Sequence, residues 1–424
     1  MVFGHGAAET TRTPEPSRSG KPAKFVAEPA PRRKSVQARC LSRWRGETVS
    51  ARLTTVRRAL LDAPADRLVE ALAAALAKEY AVTGLELLLV DYRLAALLPL
   101  LDGQAVTRPG DPAWRSFDHQ AEVTAGQVCY VPVTVRGERT GVLRYTPVPA
   151  AETTRAELAE IATLLGHELQ AATAGTDRYA VASRTRRLTL AAEMQWELLP
   201  GRSRSHPAFS LAGQLEPSYA VRGDSFDWAE QEGRLHLSVL NGHGDGMNAA
   251  LLTSLATYAL RNARRAGLAL ADQAALADQA VFAQHRGDVH VETLLLELDL
   301  RTGVMQAVDA GSPRLLVLRA GEVLDQPLEA QFPLGMFETS QYTPQSFTLR
   351  TGDRLFIVSD GVSDAAGANS RYGESALERF VRRTGTLAPF QAIRSLLGDV
   401  RSFVGNDLDD DAVAVCLDWT GPAH

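Results

Sequence analysis

The sequence predicts an α+β protein in which antiparallel sheets are covered by helices. Three observations predict it. Between about residues 208 and 418, strand-like apolar runs recur, and one pair is joined by a turn signal at Ala320 and Gly321. A helical block from 247 to 285 lies between the first two runs. Ahead of them, about a hundred residues read as helix, strand, hairpin and helix, the pattern of a small α/β domain. No internal repeat is visible.

The bulk numbers fit a globular chain. At 424 residues, two or three domains are expected. Hydrophobic residues make up 45% and charged residues 22%, enough apolar surface to bury a sizeable core. A net charge of −5 argues against nucleic acid as a partner. Cys40, Cys129 and Cys416 are too scattered for a disulfide framework or a zinc knuckle, which suits a reducing compartment. The richest apolar stretch, Leu85 to Leu101, is broken by Glu86, Asp91 and Arg93, so no membrane span is expected. The first residues lack the charged-then-apolar order of a signal peptide, and a cytoplasmic protein is expected.

Residues 1–50, rich in Pro, Arg, Ser and Lys and without hydrophobic period, read as a disordered tail. A sensor domain is expected over 51–175. In it Leu68, Leu72, Ala75 and Leu76 recur at helical spacing, so 65–80 is a helix. L-E-L-L-L-V-D, 85–91, is a buried strand. Residues 127–145 form a hairpin turning between Arg136 and Gly141. The helix after it places Leu158, Ile161, Leu165 and Leu169 on one face. A linker helix spans 176–199 and stops at Pro200 and Gly201, either as a stiff connector that passes a signal on or as a plain linker. The second domain, 201–420, contains strands at 234–240, 292–300, 313–319, 354–358 and 412–417.

The acids of this second domain lie at strand ends. Asp224 stands in V-R-G-D-S-F-D just before a strand, Asp360 in I-V-S-D-G directly after one, and Asp410 and Asp411 directly before another. Asn241 also ends a strand. A single S-D-G is usually only a turn, and D-D-D usually a solvated loop. Converging, however, such carboxylates would pool negative charge that only protons or a cation can neutralise. Oxygen donors of this kind select hard cations, Mg²⁺ or Mn²⁺.

The loop L-N-G-H-G-D-G-M-N-A-A-L-L, 240–252, narrows the chemistry. It lacks the Gly-Lys-Ser/Thr of a phosphate-binding loop. Gly242, Gly244 and Gly246 do not fit the dinucleotide spacing, and the surrounding strands do not make a βαβ unit. What remains is a turn whose backbone approaches something closely.

Six stretches in order carry a resemblance. They are G-D-S-F-D (223–227), N-G-H-G-D-G-M-N-A-A-L-L (241–252), D-A-G-S-P (309–313), P-L-G-M (333–336), G-D-R-L-F-I-V-S-D-G-V-S-D (352–364) and D-D-A-V (410–413). With the lead-in A-E-M-Q-W-E-L-L-P (192–200), the chain resembles the PPM-type metal-dependent serine/threonine phosphatases, in their bacterial SpoIIE-like branch. The N-terminal region is similar to GAF domains, without a specific motif. The resemblance covers about 190–418. It implies a β-sandwich flanked by helices, with two Mn²⁺ or Mg²⁺ ions between the sheets. It assigns metal binding to Asp224, Asn241, Asp360 and Asp410 and to the carbonyl of Gly242. The ions would activate a water that attacks phosphorus in line.

His243 can be placed in two ways. In one register it matches a proposed leaving-group acid, which makes Asp224 and His243 the catalytic candidates. In the other, which also fits Ala249 and Ala250 and is preferred, Asp245 takes the histidine position and His243 is a loop residue. Arg222 can help hold a phosphate or form a surface ion pair. Under both registers Asn241 stands where the resemblance calls for a bridging Asp. An amide offers one neutral acceptor oxygen where a carboxylate offers two charged ones, so weakened metal binding is expected. The resemblance thus implies a signalling phosphatase acting on a phosphorylated regulatory protein of the anti-anti-sigma type. The alternative is a pseudophosphatase that binds without hydrolysing. A homodimer through the N-terminal domain and linker helix is a further expectation.

Overall fold

A computed structural model describes residues 50–422, apart from 102, 148–151, 218–220, 312, 368–369 and 406–407. The tail expected over 1–50 lies outside the described residues except for Ser50. Ser50–His424 forms one compact unit.

The first part opens with α1 (Ala51–Leu61) and α2 (Leu68–Tyr80), the latter starting after a short 3-10 turn. Then come β1 (Thr83–Val90), β2 (Leu97–Pro99), α3 (Pro112–His119), β3 (Val123–Ala125), β4 (Val128–Val135), β5 (Glu138–Thr146) and α4 (Glu152–Ala172). The strands make one antiparallel sheet in the order β2-β1-β5-β4-β3. Period-two alternation sorts β1 between two cores. Leu87 and Leu89 pack with Leu72 and Leu76 of α2 and with Ile161 and Leu165 of α4. Leu88 and Val90 face the other way, with Trp114 and Phe117 of α3. The hairpin turns earlier than the expected span suggests, in two residues, Arg136 and Gly137, both with positive φ. Gly141 already lies inside β5 opposite Leu89.

The linker departs from expectation. In place of one helix over 176–199 there are α5 (Arg178–Ala182) and α6 (Leu190–Leu198) with a non-helical break between them. Thr189 restarts the helix, its hydroxyl accepting the Ala192 N–H. The break holds Ser183, Thr185 and three arginines within four residues, Arg184, Arg186 and Arg187, a poor helix interior.

The second part carries β6 (Ser203–His206), β7 (Phe209–Glu216), β8 (Asp224–Gln231), β9 (Arg234–Gly242), α7 (Gly246–Arg265), α8 (Leu270–His285), β10 (Val291–Asp299) and β11 (Val304–Ala310). It continues with β12 (Arg314–Arg319), β13 (Glu322–Asp325), β14 (Gln345–Thr348), β15 (Arg354–Val358) and the short α9 (Asp360–Ser363). It closes with α10 (Tyr372–Ser375), α11 (Leu377–Arg383), α12 (Pro389–Val404) and β16 (Ala412–Trp419). Two open antiparallel sheets result, β14-β11-β10-β9-β8 and β13-β12-β15-β16-β7-β6. Their facing sides share one core: Phe226, Leu237, Val239, Leu294 and Leu296 from one sheet meet Leu211, Ile357, Val415 and Trp419 from the other. Helices α7 and α8 cover the outer face of the first sheet, with Leu252, Ala256, Ala277 and Val281 against Leu295 and Val308. Helix α12 covers the second, with Ile393, Leu396 and Val400 near Phe356, Ala414 and Cys416.

The same outer core also takes in Leu88, Val90, Trp114 and Phe117, so α12 is the layer between the first part and the second. Ion pairs line this junction: Arg394 to Asp118 at 2.7 Å, and Glu216 between Arg401 (2.7 Å) and Arg93. Burial of Glu216 pushes its carboxyl up, and the two guanidiniums pull it back. The fold is thus a mixed α/β architecture with unclosed sheets flanked by helices.

Candidate metal centre

Strand pleating explains where the polar residues meet. On β9, Leu235, Leu237 and Val239 face the core between the sheets, and Asn241 continues that face at the strand end. On β8, Phe226 faces the core and Asp224, the first residue of the strand, continues its side. On β10, Leu294, Leu296 and Leu298 do the same, followed outward by Glu292. Register puts these three ends in a row: Asp224 pairs with Asn241, and Asn241 with Glu292. The other sheet presents the end of β15 and the start of β16, which pair with Val358 opposite Ala414. Asp360 follows the first, and Asp410 and Asp411 precede the second. The apolar sandwich therefore ends in a polar cap drawn from five strands.

The cap opens into a cavity of about 500 Å³. Asn241, Gly242, Glu292, Asp360 and Asp410 line it together with Arg222, His243, Asp245 and His290. Asn241 donates its amide N–H to Asp360 Oδ2 at 2.8 Å. The other Asp360 oxygen accepts the Gly361 N–H at 2.9 Å. Asp410 accepts the Asp411 N–H at 2.8 Å. Asp224 is fully buried, and neither of its carboxylate oxygens has a hydrogen-bond partner.

Asp411 has a different task from Asp410. Its Oδ2 accepts from Gln195 Nε2 (2.8 Å), from the Arg222 N–H (2.8 Å) and from the Gly223 N–H (3.2 Å). Gln195 also donates to the carbonyl of Asp224 at 2.6 Å. One buried amide on α6 therefore ties the linker to two walls of the cap.

The electrostatics follow from this crowding. Burial first, then Asp411 and Asp360, hold the Asp224 carboxyl well above its ordinary range, with the Ser359 hydroxyl pulling the other way. Asp360 is raised by burial, relieved by the Gly361 N–H and raised again by Glu292. Asp410 is pushed up to about 6 by burial and by Asp360, with Arg222 pulling the other way. His290 is lowered by burial and by His243, on which its ring stacks at 5.2 Å.

These donors fit a hard divalent cation in kind: all are oxygens, and a buried carboxylate with both oxygens unsatisfied asks for a positive partner. Their present arrangement is looser. Among the described residues, no group of three or more His, Cys, Asp and Glu side chains stands ready to hold a metal ion. The Asn241 amide explains part of this, because it occupies a carboxylate oxygen of Asp360 with an N–H.

Gly361 makes the close approach of the two acidic loops possible. A Cβ there would lie 1.7 Å from the carbonyl oxygen of Asp411. Gly361→Ala is expected to push the Asp360 and Asp410 loops apart, costing about 1–3 kcal/mol of stability. Urea unfolding of the variant checks the value.

Residues 231–420 match the family model described as stage II sporulation protein E (SpoIIE). The match supports a PP2C/PPM-type phosphatase domain. Solved structures similar to the chain include the RsbU and RsbW domains of Rv1364c from Mycobacterium tuberculosis, at 23% identity and a TM-score of 0.44, covering 51% of this chain and 62% of that one. The PP2C phosphatase domain with a regulatory fragment of SpoIIE from Bacillus subtilis is 16% identical, with a TM-score of 0.46, covering 51% and 65%. The SiaA-PP2C domain of Pseudomonas aeruginosa is 20% identical, with a TM-score of 0.45, covering 49% and 85%. The chain thus spans less than two thirds of the first two. No curated protein matches it.

Every site residue expected from the sequence lies at one end of the sandwich. Asn241, Gly242, His243, Asp360 and Asp410 line the cavity, and Asp224 is buried behind it as the register partner of Asn241. Four residues of this cap had no expectation attached: Glu292, His290, Gln195 and the inward-facing Asp411 as a loop clamp. Pleat arithmetic was the available signal for Glu292, two residues before Leu294 on the same face.

Proposed function

We propose that the protein is a metal-dependent serine/threonine phosphatase of bacterial signalling. Its substrate would be a phosphoserine or phosphothreonine on a small regulatory protein of the anti-anti-sigma type. The observation that carries this reading is the unpartnered, fully buried Asp224 carboxylate beside Asp360 and Asp410 at a cavity. The PP2C/PPM-type match over 231–420 supports it.

In this reading Asp224, Asp360 and Asp410, with the side-chain oxygen of Asn241 and the carbonyl of Gly242, would hold two Mn²⁺ or Mg²⁺ ions. When bound, such ions supply Lewis acidity and lower the pKa of a water. The chain itself orients the reaction. Arg222, exposed at the rim near Asp410, offers a fork of N–H donors to phosphate oxygens. His243, exposed at the cavity, would give a proton to the departing serine oxygen only in the first of its two registers; in the preferred one it is a loop residue with no proton role. Water adds to phosphorus, the bond from phosphorus to the serine oxygen breaks, and phosphate leaves.

Asn241 favours a second reading. With its amide already bonded to Asp360, the site can serve as a phosphoprotein-binding module without turnover. Mn²⁺-dependent hydrolysis of an aryl phosphate by the wild type and by Asn241→Asp separates the two. Activity in both supports the enzyme, and activity in the variant alone supports the module. Activity in neither, with no metal bound, counts against the site.

We further propose that residues 51–175 act as a GAF-like sensor in the cytoplasm and that a homodimer forms through this part and the linker. The shared core along α12 and the Gln195 clamp give a packed route from that part to the cap.

A further inference from the structure

Glu292 is a carboxylate of the cap that neither the motifs nor the proposed ligand set uses. It is the register partner of Asn241 on the adjacent strand and faces the same cavity. Directly opposite residues of an antiparallel pair have Cβ atoms about 4.5–5.5 Å apart, so a side chain one methylene longer reaches the ground its neighbour covers. Val291 and Thr293 on either side are fully buried, which fixes the strand and the direction in which Glu292 leaves it.

The surroundings leave room for this residue. Gly311 adopts a φ of +148°, and a Cβ there would lie 2.3 Å from the Cβ of Glu292. The chain keeps the neighbouring position bare where the glutamate stem passes. Its carboxylate approaches Asp360 closely enough to raise that group and to counter the fall at His290. The unpartnered Asp224 carboxylate marks the same cap as short of a cation.

We propose that Glu292 supplies the carboxylate that Asn241 lacks, making it a ligand-bearing residue of the divalent-cation site. The charge lost on β9 is returned from β10, one strand away. The proposal rests on reading the cavity as a metal site, and it separates the wild type from a dead module: a site with Asp224, Asp360, Asp410 and Glu292 has as many carboxylates as one with Asp at 241.

Full-length, metal-stripped protein is titrated with Mn²⁺ by calorimetry for the wild type, Glu292→Gln, Asn241→Asp, the double variant and Asp360→Asn. Melting temperature without metal serves as the control for folding. Glu292→Gln is expected to weaken Mn²⁺ binding at least about tenfold, about 1.4 kcal/mol, and to abolish most of the Mn²⁺-induced rise in melting temperature. Adding Asn241→Asp to it is expected to restore affinity to near the wild-type value. If Glu292→Gln binds Mn²⁺ as the wild type does while Asp360→Asn does not, the metal site stands and the role of Glu292 is overturned. If the folded wild type binds no Mn²⁺, the reading of the cavity fails and this proposal with it. Loss of binding in Glu292→Gln without rescue by Asn241→Asp overturns the compensation.

Discussion

Asn241→Asp binds Mn²⁺ at least about tenfold more tightly than the wild type and is less stable without it. Two opposing effects meet at one atom. In the metal-free protein the Asn241 amide donates to Asp360 at 2.8 Å, a hydrogen bond to a charged acceptor. Such bonds contribute about 1.5–3 kcal/mol, and the substitution replaces this one with a like charge. The metal-free melting temperature should therefore fall by several degrees. A divalent cation reverses the sign, because the added carboxylate then has a positive partner and Asp360 regains a free oxygen. Thermal melts with and without Mn²⁺ test both halves. A variant more stable than the wild type in both conditions would show that the Asn241–Asp360 contact contributes nothing.

Asp224→Asn should stabilise the metal-free protein by at least about 1 kcal/mol and remove its response to Mn²⁺. Asp224 is fully buried with both oxygens unpartnered, so its charge is a cost that folding bears without metal. The sign of the pH effect follows. Its folded pKa is raised, chiefly by burial, so the native state holds the proton more tightly than the unfolded chain does. The stabilising contribution is present below the unfolded carboxyl pKa and is lost as pH rises through the folded value. Asp410, pushed up to about 6, acts in the same direction. The stability gap between Asp224→Asn and the wild type should widen as pH rises from 4 to 8 in the absence of metal. Urea unfolding across that range measures it; a constant gap would mean that Asp224 titrates normally. Aryl phosphatase activity of the variant should fall by at least about a hundredfold, about 2.7 kcal/mol.

Legibility in the sequence tracked how locally each feature is encoded. Asp224, Asp360 and Asp410 each stand at a strand end beside a turn, so the chemistry of the cap could be read from short stretches. Glu292 has only its pleat position as a local signal, because H-V-E-T has no turn residue and reads as the opening of a strand. Its place depends on the register of β9 with β10, a long-range property. Gln195 sits in an ordinary helical stretch, and its role appears only when α6 packs beside Asp224 and Asp411. The linker departs from a single helix for a local reason: Ser183, Thr185 and three arginines interrupt it, and Thr189 caps a new helix. Helix α12 carried no expectation at all, although it is amphipathic and forms the layer that joins the two parts of the chain.

Equilibrium binding of Mn²⁺ to metal-stripped wild-type protein, followed by the EPR signal of the free ion, tests the cation site most directly, with Asp410→Asn in parallel. The account predicts saturable binding by the wild type and at least about tenfold weaker binding by the variant. A folded wild type that leaves all the Mn²⁺ free, or a variant that binds it equally well, would contradict it.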